Sequence, residues 1–286
     1  MSERSTITRH ALTVLAGQLA VMAYGVTDTI VAGRHAEASL AALSVGSAIF
    51  ISVYVALMGV LQALLPVWAE QRGSQDWAGI GRSFRQALYL CAFTSLLGMA
   101  ALSCPNAVLE WTDIPADLRA TVNQYLGVLA LALPPALLFR MYSTLNQALG
   151  RPQLVTGLQV AGLFVKIPLS VWFTFGGAGL PAMGVVGCAW ATLVVNYTQC
   201  GLALWLLRTQ DIYAPLHFWN RMERPDWKQM GRFARLGVPA ALAITVEVTS
   251  FTLMAPWPQR ATRLPQTSRP FSTWCLCPSP LPPVPA

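Results

Sequence analysis

Charge is what this chain has least of. In 286 residues there are 19 basic and 12 acidic side chains, or 11 % charged against 55 % apolar, with a mean hydropathy of +0.50. A soluble domain of this length usually carries about a quarter charged residues, so a water-exposed globule is excluded. Histidine and cysteine are also scarce. His10, His35 and His217 lie far apart, and Cys275 and Cys277 lack the two-residue spacing of a zinc pair. Cys91, Cys104, Cys188 and Cys200 fall in or beside apolar runs, where cysteine behaves as a small hydrophobe. No metal cluster, resident cofactor or disulfide framework is expected. No nucleophile elbow or phosphate loop occurs, so an enzyme is not expected. The basic residues do not interleave with aromatics in a soluble patch, and no nucleic-acid partner is expected.

What the chain does have is seven apolar runs, at about 12–32, 40–68, 87–103, 122–138, 154–175, 182–207 and 236–255. A helix needs ~20 residues to cross a ~30 Å hydrocarbon layer, and only helices and closed barrels satisfy their backbones there. The runs are far too long for barrel strands. The fold class is therefore all-α, a polytopic membrane protein with the lipid bilayer as its partner. The first run exceeds the 7–15-residue core of a secretion signal, and six more follow it, so it reads as a retained span.

Basic residues set the orientation. With the N-terminus in the cytoplasm, the inner segments hold Arg4, Arg9, Arg72, Arg82, Arg85, Arg151, Arg208, Arg221, Arg224, Lys228, Arg232 and Arg235. The outer loops hold Arg34 and Arg119, with Glu110, Asp113 and Asp117 beside the latter. Twelve against two predicts a cytoplasmic N-terminus. Within the inner segments, 70–86 mixes Trp77, Ile80 and Phe84 with arginines, and two readings stand: a short helix lying on the membrane surface, or a solvated loop.

Three charges sit where charge is costly, up to ~2.5–3.5 kcal/mol near the bilayer centre. Asp28 is the one charged residue of 12–32, Glu247 lies eleven residues after Leu236, and Lys166 lies twelve residues into the fifth run. Such groups face a bundle interior or a water-filled cavity. An acid there that binds and releases H⁺ or a metal cation can couple ion flow to a change of conformation. Plainer readings stay open: an interfacial acid for Asp28, a neutral hydrogen-bonded acid for Glu247, and a snorkelling or cavity-lining cation for Lys166. Pro168 frees a carbonyl near Lys166. Gly184 with Cys188, and Gly187 with Ala191, form small-residue pairs suited to close helix contact.

The tail from Pro256 has nine prolines in 31 residues and no acid. No regular structure survives that density. It begins inside the seventh run, and the expectation is that the reading frame was lost there and the protein is an incomplete copy.

Five stretches in order, "VTDTIVAG" with "SLAALSVGSAIF", "LLPVWAEQRG", "LNQALGRPQ" and "GVVGCAWATLVVNY", resemble the multidrug and toxic compound extrusion (MATE) family, nearest its bacterial NorM-like branch. In the third of these Pro66, Ala69 and Gly73 match, while Glu70 stands where glutamine is usual. The resemblance implies two facing six-helix lobes, of which this chain would supply one and the opening of the second. That division is 1–207 for the first lobe, 208–235 for a basic cytoplasmic connection, 236–255 for the seventh helix and 256–286 for the tail. It also implies a monomeric antiporter of a bacterial inner membrane, exporting amphipathic organic compounds against H⁺ or Na⁺. Asp28 matches the coupling acid of the first helix and Glu247 that of the seventh. Lys166 departs from the pattern, since asparagine is common there, and can alter the electrostatics near Asp28. A non-transporting fragment and a flippase for lipid-linked precursors are the alternatives.

Overall fold

The computed structural model describes residues 3–103, 116–177, 181–210, 213, 216 and 226–254. They form eight helices: α1 (Glu3–His35), α2 (Glu37–Gln62), α3 (Leu64–Gly73), α4 (Trp77–Ser103), α5 (Ala116–Ala148), α6 (Pro152–Phe175), α7 (Val185–Thr209) and α8 (Trp227–Met254). The Cα trace divides into two units, Met1–Val246 and Glu247–Ala286. Of the second unit, the described part is the helical backbone that ends α8. The proline-rich tail lies outside the described residues, as do Cys104, Cys275 and Cys277.

Among the described residues, six segments are able by length and composition to cross a membrane: residues 11–35, the joined α2 and α3, α4, residues 118–148, α6 and α7. The all-α membrane class expected from hydropathy is what the chain adopts. The outward faces fit that class: Leu12, Met22, Phe93, Leu96, Phe164 and Trp205 are exposed apolar side chains on these spans. In water such a surface drives aggregation; against acyl chains it has no cost.

In the first unit α5 is the hub, packing on α2, α3, α4 and α7, while α1 packs on α6 and α6 on α7. Leu126, Leu129, Leu133, Leu137 and Met141 of α5 are wholly buried. Close approach depends on small residues. A Cβ at Gly46 of α2 would stand 2.6 Å from the Tyr125 ring of α5. α5 also runs through Pro134 and Pro135 without ending. Pro135 has no N–H for the Leu131 carbonyl, and the Tyr197 hydroxyl of α7 donates to that oxygen at 3.4 Å. A neighbouring helix thus supplies the donor that the proline withholds.

The 70–86 stretch is neither a separate surface helix nor a loop. Its first residues end α3, and after a short turn the rest opens α4, which is continuous with the membrane span. Asp76 decides the restart: its Oδ1 accepts from the Gly79 N–H at 2.9 Å, an N-cap bond that satisfies a free donor of the first turn. Gln71 of α3 then donates to Ser83 of α4 at 2.9 Å. Ile80 and Phe84 point into the core. The other boundaries also move outward from the apolar runs. α5 continues through Arg140, whose Nη2 donates to Gln62 at 2.7 Å. α8 begins at Trp227, so residues 227–235 of the expected connection are helical. Amphipathic turns at a span's end carry charge and escape a hydropathy count, although the backbone stays helical.

The connection after α7 is anchored at Tyr213. This phenol is buried, donates to Asn146 Oδ1 at 2.6 Å and lies 3.4 Å from the Tyr142 hydroxyl. Burial pushes its pKa up from the ordinary value, which keeps it a donor.

One small-residue pair can be tested directly. A Cβ on Gly187 would lie 2.5 Å from the carbonyl carbon and oxygen of Phe173, backbone that cannot yield because the Met183 N–H donates to that same oxygen at 3.2 Å. Gly187→Val is expected to cost about 1–3 kcal/mol or more by overpacking α7 on α6. Gly157→Ala is the control, since a Cβ there meets nothing within 4 Å. Thermal unfolding in detergent should show a lowered Tm for the first and none for the second.

Candidate functional site

Asp28 and Lys166, 138 residues apart in sequence, form an ion pair: Lys166 Nζ to Asp28 Oδ2 is 2.8 Å. The distance is that of a charge-assisted hydrogen bond. Both side chains are withdrawn from solvent, with 4 % of the lysine and 13 % of the aspartate accessible. The fold brings them together because α1 lies along α6 and α6 along α7. Asp28 sits two turns before the end of α1 at His35.

The surroundings are built from the same three helices. From α7, Thr192 Oγ1 accepts from Lys166 Nζ at 3.0 Å. From α6, the Ser170 hydroxyl donates to Asp28 Oδ1 at 3.3 Å, one turn after Lys166. From α1, the Tyr24 ring lies under the ammonium with 5.2 Å from Nζ to its centroid, within cation–π range. Tyr24 and Ser170 are each a single helical turn from one member of the pair, so the site uses one face each of α1 and α6.

A second layer fixes Tyr24. Its hydroxyl donates to the Gln159 carbonyl at 2.7 Å and accepts from Gln199 Nε2 at 2.8 Å. Gln199 also donates to the Leu158 carbonyl at 3.3 Å. Gly162 makes room for this link, since a Cβ there would stand 2.5 Å from the Tyr24 oxygen. Thr192 in turn donates back to the Cys188 carbonyl at 2.9 Å, which aims its lone pairs at the lysine.

Of the sequence-predicted site residues, Asp28 and Lys166 are thus joined. Glu247 lies on the helical backbone of α8, but its side chain is outside the described residues. Tyr24, Ser170, Thr192 and Gln199 were not anticipated. Tyr24 and Ser170 were findable, each being four residues from a charge on its own helix. Thr192 and Gln199 carry no such signal in sequence.

Among the described residues, no group of three or more His, Cys, Asp or Glu side chains is placed to hold a metal ion. The arrangement offers instead one carboxylate, one ammonium and hydroxyls, inside a bundle of membrane-length helices. It can hold or exchange a positive charge, and it has no nucleophile poised for covalent chemistry. Fold and site together define a multi-pass helical membrane protein that keeps an acid–base pair in its interior.

Comparison with known proteins narrows the class. The family model described as MatE matches residues 14–172. The probable multidrug resistance protein NorM of Aromatoleum aromaticum is 36 % identical over 248 residues, covering 86 % of this chain and 53 % of that protein. The multidrug resistance protein PmpM of Pseudomonas aeruginosa is 30 % identical over 247 residues, covering 86 % and 52 %. Among solved structures, the eukaryotic MATE transporter AtDTX14 superposes with a TM-score of 0.79 at 18 % identity, over 90 % of this chain and 58 % of that one. An outward-facing MATE family multidrug resistance transporter gives 0.74 at 18 % identity, over 84 % and 52 %. The chain belongs to the MATE family, and it spans about half the length of the curated relatives it matches.

Proposed function

We propose that this chain is the first lobe and the opening of the second in a cation-coupled exporter of amphipathic organic compounds, placed in a bacterial inner membrane with its N-terminus in the cytoplasm. Asp28 is the coupling acid of the first lobe, and Glu247 that of the second. The coupling cation is H⁺ or Na⁺. The observation that carries the reading is Asp28 itself: a carboxylate held inside the first span by Lys166 and Ser170, with side-chain partners that can be exchanged. A carboxylate with replaceable partners can trade one positive species for another and so bias a two-state bundle. The multidrug resistance names of the bacterial relatives support the substrate class, and the excess of inner basic residues supports the orientation.

The test joins residues 1–254 to the remaining helices of the Aromatoleum relative, in cells lacking their own drug exporters. Energised cells should expel ethidium against an H⁺ or Na⁺ gradient, and a reporter inserted at position 220 should read cytoplasmic. A chimera that reaches the membrane, folds and expels nothing would overturn the exporter reading.

A further inference from the structure

The Asp28 pocket already contains a cation. Lys166 Nζ has three N–H donors, and three acceptors surround it: Asp28 Oδ2 at 2.8 Å, Thr192 Oγ1 at 3.0 Å and the face of the Tyr24 ring at 5.2 Å. We propose that Lys166 is a tethered internal cation, occupying the position at which a free alkali cation would otherwise meet Asp28, and that this residue makes the pocket exclude Na⁺. The inference deepens the coupling role given to Asp28 and rests on that reading for its place in transport, but its chemistry stands on the geometry alone.

Two features of the pocket point this way. First, the oxygens within reach are those a hard monovalent cation prefers, a carboxylate with the hydroxyls of Ser170 and Thr192. Without the ammonium they would surround an uncompensated anion, which in a low-dielectric interior recruits a counter-charge. Second, the three helices that build the pocket carry no charged residue other than this pair within their apolar runs. Lys166 is the sole charged residue of α6, Arg208 in the last turn is the sole one of α7, and Asp28 is alone in 12–32 of α1. The pair is therefore neutral as it stands, and a Na⁺ entering it would meet the ammonium as a like charge.

Lys166 is thus a specificity-determining residue. It decides which positive species Asp28 accepts, and replacing it with a neutral amide should turn an ion-pair site into a Na⁺ site. The experiment uses the full chain purified in detergent, with ²²Na⁺ binding and thermal unfolding in sodium chloride against choline chloride. The wild-type chain is expected to show no Na⁺ binding that Asp28→Asn removes, and no Tm difference between the two salts. Lys166→Asn should gain Na⁺ binding and a higher Tm in sodium, and Asp28→Asn/Lys166→Asn should lose both. Lys166→Gln replaces the asparagine variant if that fails to purify. Asp28-dependent Na⁺ binding by the wild-type chain would overturn the proposal, as would a folded amide variant that binds none. Neither result touches the exporter reading, which the efflux assay alone decides.

Discussion

Asp28→Asn in the transport-competent chimera should cut ethidium efflux by about 10-fold or more, the size expected when a coupling free energy of ~1–3 kcal/mol is removed. The substitution keeps shape and hydrogen bonding but takes away the one anion of the first span. It also leaves Lys166, buried and tied to that anion at 2.8 Å, without its counter-charge. Loss of efflux could therefore come from lost coupling or from a damaged lobe. The Asp28→Asn/Lys166→Asn pair separates the two, because it restores neutrality without restoring an acid. Efflux that stays low in a double variant with wild-type Tm assigns the coupling role to Asp28. Efflux that returns in the double variant would show that the carboxylate only balances the lysine, and the coupling assignment would fail.

The second large effect is on stability. Lys166→Met removes the ammonium and leaves the Asp28 carboxylate with Ser170 at 3.3 Å as its remaining described partner. Breaking a buried ion pair from one side costs about 3–5 kcal/mol, because the orphaned charge keeps its desolvation penalty. Thermal unfolding in sodium-free buffer should show a large drop in Tm for the single variant. Asp28→Asn/Lys166→Met should recover most of it, since exchanging both charges for neutral groups of similar volume is often close to neutral. The comparison is a double-mutant cycle, and its coupling term is the quantity to read. A single variant as stable as the double would mean that the pair adds nothing to the lobe. The expected rescue of a neutral-amide variant by Na⁺ is the same physics seen from the ligand's side.

Much of this molecule is legible in one dimension because lipid enforces it. A span must be apolar for ~20 residues, so the all-helical class and the places of the first six runs follow from hydropathy alone. A charge inside such a run is costly, so Asp28, Lys166 and Glu247 stand out from composition. The helix ends are less legible. The opening turns of α4 carry Arg82 and Arg85 and those of α8 carry Lys228, Arg232 and Arg235, so a hydropathy count stops where the backbone does not. The joint at 74–76 depends on one side chain, Asp76, meeting one N–H.

The sequence by itself determined that this protein crosses a membrane many times and that it keeps an acid in its first span, since both are consequences of transferring residues one by one from water to hydrocarbon. Only the tertiary structure decided that Lys166 is that acid's partner, with Thr192 and the Tyr24 ring completing its shell. The reason is geometric. Pairing across 138 residues requires α1, α6 and α7 to settle side by side, and that arrangement is set by glycine contacts and buried faces distributed over the whole bundle.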